Sequence, residues 1–116
     1  MAVMGQIRGG TLEMTLTLAD KVTSIRTTPY TFPSTGKYLM CGCFQTSGIS
    51  TIAESSFTTS GCTIDSDTYT VEPNNYGSSN YMLEIVGIVD VTSSGATIQN
   101  TSTAVNAQAW QFWKIN

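Results

Sequence analysis

Histidine is absent from the 116 residues, and charge is scarce: five Lys and Arg stand against eight Asp and Glu, 11% of the chain where about a quarter is usual. Without His the chain lacks the commonest general base, the Ser-His-Asp nucleophile and most zinc sites. No enzyme, cofactor or metal site is therefore expected. The basic residues Arg8, Lys21, Arg26, Lys37 and Lys114 are scattered, whereas a phosphate backbone needs a basic stripe, so nucleic acid is not an expected partner. No apolar run approaches the roughly 20 residues that span a bilayer. The stretch from Met1 to Gln6 also lacks the blocks of a secretion signal. A soluble chain made in the cytosol, with no membrane partner, is the expectation.

Three cysteines, Cys41, Cys43 and Cys62, are too few and too odd in number for a disulfide framework. Free thiols acting as small buried hydrophobes are expected. The sharper alternative is a link between subunits, because Cys41 and Cys43 emerge on one face of a strand. Three thiolates on one metal match no usual zinc spacing.

What replaces charge is hydroxyl: 19 Thr and 13 Ser. Thr favours strands and Ser favours turns, so the composition points to an all-β protein. With 41% hydrophobic residues the length suits one domain, drawn here as residues 11–116 behind an N-terminal arm of residues 1–10 that carries no clear period.

The tail sets the organisation. In the closing run from Ala107 to Asn116, alternation puts Trp110, Phe112 and Lys114 on one side and Ala109, Gln111, Trp113 and Ile115 on the other. Neither side is wholly polar, so a central strand is predicted, with its second face against another layer or subunit. Trp110, Phe112 and Trp113 are the candidate subunit or capsid contacts, against the plainer reading of the Trp pair as core.

Upstream, Thr11 to Leu18 alternates with Leu12, Met14, Leu16 and Leu18 on one face, a half-buried strand; Ala19-Asp20-Lys21 is read as a turn and residues 22–26 as a short continuation. Residues 37–44 read as a strand apolar on both faces, covered on both sides, in which Gly42 permits close approach or a bulge. Residues 49–53 and 56–59 are weak strands. Residues 62–71 alternate as one strand, with Asp65 and Asp67 as a solvated face rather than a calcium or acid/base pair. Residues 73–81, rich in Asn, Gly and Ser, read as a long exposed loop. Its Asn74, Asn75, Tyr76 and Tyr81 are the candidate ligand residues, with Tyr69 also able to stack on a sugar. Residues 81–91 form the longest apolar run, a buried strand rather than a helix because of its β-branched residues. Asn100-Thr101-Ser102 matches a glycosylation triplet that a cytosolic chain would not use. Seven to nine short strands, antiparallel in a β-sandwich or jelly roll, are predicted.

The run Phe32-Pro33-Ser34-Thr35-Gly36-Lys37-Tyr38, an apolar residue, Pro, two variable positions, Gly, one variable position and Tyr, resembles the lead-in to a strand of tumour-necrosis-factor-like and complement-like jelly rolls and of small bacteriophage virion proteins. Val86 to Val91, Ala96 to Asn100 and Trp110 to Ile115 are similar to the final strands of those folds, and to the C-terminal part of H-type lectin-like fibre domains. The resemblance covers under half of the chain, and the long first strand and the Cys-Gly-Cys have no counterpart in it. It implies a non-enzymatic, trimeric virion component synthesised in the host cytoplasm. A chain that starts at Met1 without a stalk suits a capsid decoration or head-fibre protein, with other virion proteins as partners. The competing readings are a receptor-binding module that holds a host-surface glycan at residues 73–81, and a small cytosolic sandwich with no viral role.

Overall fold

Period-2 alternation of apolar and hydroxyl side chains, punctuated by Gly, Ser and Asn, becomes strand after strand in a computed structural model that describes residues 2–6, 13–102 and 105–116. Ten strands are formed among these residues: β1 (Ala2–Gln6), β2 (Glu13–Val22), β3 (Tyr30–Thr31), β4 (Gly36–Ser47), β5 (Phe57–Ser60), β6 (Cys62–Ile64), β7 (Thr70–Gly77), β8 (Asn80–Val91), β9 (Thr97–Asn100) and β10 (Val105–Ile115). A single 3-10 turn, Glu54–Ser56, is the one helical element among them, and no described helix is long and apolar enough to cross a membrane. The expected all-β, antiparallel sandwich is what the chain forms.

Seven strands make the large sheet in the order β1-β2-β10-β4-β8-β6, with β7 on the same edge of β8 as β6, and β3-β9-β5 make the small one. From β2 to β6 the chain changes sheet at every connection, and it does so again on either side of β9. That wrapping yields the neighbours β2-β10-β4-β8 in one layer and β3-β9-β5 in the other, the order of a jelly roll. The tail strand β10 is central, paired with β2 on one side and β4 on the other.

Between the layers lies an aromatic core. Tyr30 of β3 stacks on Phe112 of β10 with ring centroids 4.1 Å apart. Phe57 of β5 meets Trp110 edge-on at 5.9 Å, and Phe44 does the same at 4.8 Å. Such pairs each contribute about 0.5–1.5 kcal/mol beyond the area they bury. Gly42 is the close-approach glycine: a Cβ there would fall 2.3 Å from the Trp110 ring. The lead-in motif closes on itself, since the Tyr38 hydroxyl donates to the Ser34 carbonyl at 3.0 Å while the Phe32 and Tyr38 rings touch at 4.9 Å. Gly36, at φ 125°, supplies the backbone conformation that begins β4.

Four expectations are corrected. Ala19-Asp20-Lys21 is no turn but part of β2, where a bulge against Phe112 and Trp113 absorbs one extra residue. Residues 49–53 form no strand. Residues 62–71 are not one strand, because Asp65 Oδ1 accepts the Asp67 N–H at 3.0 Å and the Asp65 carbonyl accepts the Thr68 hydroxyl at 2.9 Å, which builds a turn between β6 and β7. Residues 73–81 are not a loop: β7 runs to Gly77 and β8 starts at Asn80, a hairpin whose two-residue turn holds Ser78 at φ 48°. Of the expected arm, residues 2–6 are an edge strand on β2; residues 1 and 7–10 lie outside the described residues, as do the side chains of Leu12 and Met14.

Candidate functional site

Alternation gives the large sheet two faces, and the register identifies which residues share each. Trp110 opposite Gly42, Phe112 opposite Met40 and Lys114 opposite Tyr38 point toward the small sheet. Gln111 opposite Cys41, Trp113 opposite Leu39 and Ala109 opposite Cys43 point away from it. On β8, Val86 continues the Cys41 row, Ile88 the Leu39 row and Glu84 the Cys43 row. The β2 bulge adds Leu18 beside Trp113 and Leu16 beside Ile115. Leu18 is therefore half-buried on the outer face, whereas Leu16, in register with Ile115, is 1% exposed; Ala19 and Val22 pack on the core.

The outer face is thus an apolar sheet surface. Leu18, Leu39, Cys41, Cys43, Met82, Ile88, Trp113 and Ile115 are half-buried and Val86 is 39% exposed. No sheet packs on them among the described residues. A shallow depression of about 330 Å³ in the middle is lined by Cys41, Cys43, Glu84, Val86 and Gln111.

Of the tail aromatics expected at a subunit or capsid contact, two are corrected. Trp110 is 1% exposed and Phe112 0%, because their side of β10 faces the small sheet; neither can touch a partner while the domain is folded. Trp113 does lie on the outer face, where its indole donates to Gln111 Oε1 at 3.2 Å.

The candidate ligand residues separate in the same way. Asn75 is spent on the hairpin, donating to the Ser78 carbonyl and accepting from the Gly77 N–H at 3.3 Å. Tyr81 is half-buried and packs on the core, and Tyr69 donates to the Ile52 carbonyl at 2.6 Å. Asn74 is exposed opposite Met82, and Tyr76 is 52% exposed, its hydroxyl accepting from Gln45 Nε2 at 2.7 Å.

The three cysteines do not converge. Cys62 is buried opposite Val91 on the inner side, its thiol donating to the Thr97 carbonyl at 3.4 Å. Cys41 and Cys43 are free on the outer face. Burial raises the pKa of both above the ordinary thiol value, with Glu84 adding to the effect at Cys43. The nucleophilic thiolate is correspondingly scarce at neutral pH. Asp65 and Asp67, in their turn, are exposed and gather no further ligands; no group of three or more metal-ligating side chains occurs among the described residues.

The fold and surface define a class, an antiparallel jelly-roll sandwich with one apolar outer face. Comparison of the chain with protein-family models, with curated proteins and with solved structures finds no match.

Proposed function

We propose that this chain is a non-enzymatic structural protein of a bacteriophage particle, a capsid decoration or head-fibre component that assembles as a trimer through the outer face of its large sheet. The apolar character of that face carries the reading. Five strands about 4.8 Å apart and nine residues at about 3.4 Å each give a surface on the order of 700 Å², near the roughly 800 Å² that one partner gives to a standard interface. A face of this size, carrying Leu18, Trp113, Leu39, Ile88, Cys41 and Val86 with charges toward its edges, resembles an apolar interface core with a polar rim. The viral assignment rests on the resemblance of the Phe32 to Tyr38 lead-in and the final strands to small virion proteins.

Light scattering on the purified protein, alone and mixed with bare capsids, tests both parts. A trimer that coats capsids is the expected result; a monomer at all concentrations, or a species that ignores capsids, overturns it.

Tyr76 favours a second reading. More than half exposed beside Gln45 and Asn74, it offers an apolar ring with a polar rim to a host-surface glycan. Binding on a glycan array that disappears in Tyr76→Ala would shift the assignment to a receptor-binding module.

A further inference from the structure

We propose that the notch between the edges of the two sheets, beside Glu54, holds one neutral sugar ring, the end unit of a glycan. β5 is an edge of the small sheet and β6 an edge of the large one. A single residue, Gly61, joins them, yet β5 pairs with β9 and β6 with β8. The two strands therefore part from Gly61, and the 3-10 turn Glu54–Ser56 precedes β5 at the open end. A cleft of about 300 Å³ lies there, lined by Glu54, Ser55, Phe57, Thr59, Thr63 and Ile64. That is the small end of the range for small-molecule sites, which are mostly apolar with a few placed polar groups.

The floor of the cleft is apolar and fixed. Phe57 is buried and edge-on to Tyr69 at 5.9 Å, the Tyr69 hydroxyl donates to the Ile52 carbonyl at 2.6 Å, and Ile64 packs on the core. The rim is polar and unspent: no described side chain bonds the Glu54 carboxylate or the hydroxyls of Ser55, Thr59 and Thr63. Glu54 is half-buried. Its charge reaches the floor, where it adds to burial in raising the Tyr69 pKa. The ladder beside Thr63 offers Asp90, with Lys37 a further strand away. A half-buried carboxylate without donors is costly, and two neighbouring hydroxyls of a sugar ring relieve it by donating to its oxygens. The three rim hydroxyls donate or accept as the ring requires, while its C–H face covers Phe57 and Ile64. A cation would use the carboxylate and leave the hydroxyl donors idle.

This notch is not the Tyr76 surface. Ile64 stands opposite Val89 and Asn75 opposite Tyr81, eight positions apart on β8, about 27 Å. The inference needs neither that surface nor the trimer.

Amide shifts of nitrogen-15-labelled full-length protein, titrated with glucose, galactose, mannose and N-acetylglucosamine, test it. At least one sugar should shift Ser55, Thr59 and Thr63 saturably, and unchanged at about 500 mM salt, because a neutral ligand is not screened. Glu54→Gln should weaken binding about tenfold and Glu54→Ala should remove it, the amide spectrum of each variant verifying its fold. Tyr76→Ala should bind as the wild type does. No shift with any of the four sugars, a shift that persists in Glu54→Ala, or loss in Tyr76→Ala overturns the site. With n-butylammonium as the probe, a saturable shift that salt abolishes, and none with the sugars, would make the cleft a cation site and overturn the neutral ligand.

Discussion

The inner and outer faces of the large sheet come from the same strands, β10, β4 and β8, one residue out of phase. Inside, Trp110, Phe112, Tyr38, Met40 and Ile85 are at most 1% exposed and locked by ring contacts to the small sheet. Outside, Trp113, Leu39, Cys41 and Ile88 are similar in hydrophobicity and only half-buried. The difference teaches that apolar residue type sets the wish for burial, whereas the second layer decides which face is satisfied within one chain. The unsatisfied face is the one available to a partner.

Breaking the inner face should give the largest effects. Trp110→Ala removes the ring that meets Phe44 and Phe57 and should cost about 3–5 kcal/mol in urea unfolding. Gly42→Ala drives a methyl into the same indole and should cost about 1–3 kcal/mol. A Gly42→Ala protein as stable as the wild type would show that Trp110 can move aside. Tyr38→Phe deletes the hydroxyl bonded at Ser34 and should cost about 1 kcal/mol.

On the outer face the order of effects reverses between fold and assembly. Trp113→Ser should alter monomer stability by less than about 1 kcal/mol, since the side chain is half-buried, yet reduce the oligomer mass seen by light scattering. Equal loss of both would mean that Trp113 belongs to the fold rather than to a contact.

The smallest effect is one of pH. Burial pushes the Tyr30 phenol up to about 12, with Asp20 and Tyr38 adding to it. Its folded pKa lies above the unfolded value near 10, so its contribution is intact below pH 10 and is lost as pH rises toward 12. Chemical denaturation at pH 9 and 11.5 should show the folded state weaker at the higher pH, and less so in Tyr30→Phe.

Much of this was legible in order along the chain. The runs from Lys37 to Phe44 and from Trp110 to Ile115 announced strands apolar on both faces, but coverage of residues 37–44 on both sides did not follow: no sheet among the described residues packs on Leu39, Cys41 and Cys43. Lys21 was not legible as a strand residue, because Ala19-Asp20-Lys21 has turn composition and only pairing with Gln111 extends β2 through it. The Asn- and Ser-rich hairpin misled in the same way: local propensity suggested a loop, but the edge of β8 offered ladder partners to Asn74 and Asn75, and Pro73 costs nothing on an outer strand that pairs on one side.

By itself, then, the sequence determined that this is an all-β chain of hydroxyl-rich alternating strands with a central aromatic tail, because period and β-branching act through near neighbours. Tertiary structure alone decided that Trp110 and Phe112 are core while Trp113 is surface. It also placed Leu18 on the outer face beside a bulge and set Glu72 opposite Glu84. Which face a residue occupies depends on register against strands far away in the chain, and one slipped residue exchanges the two faces.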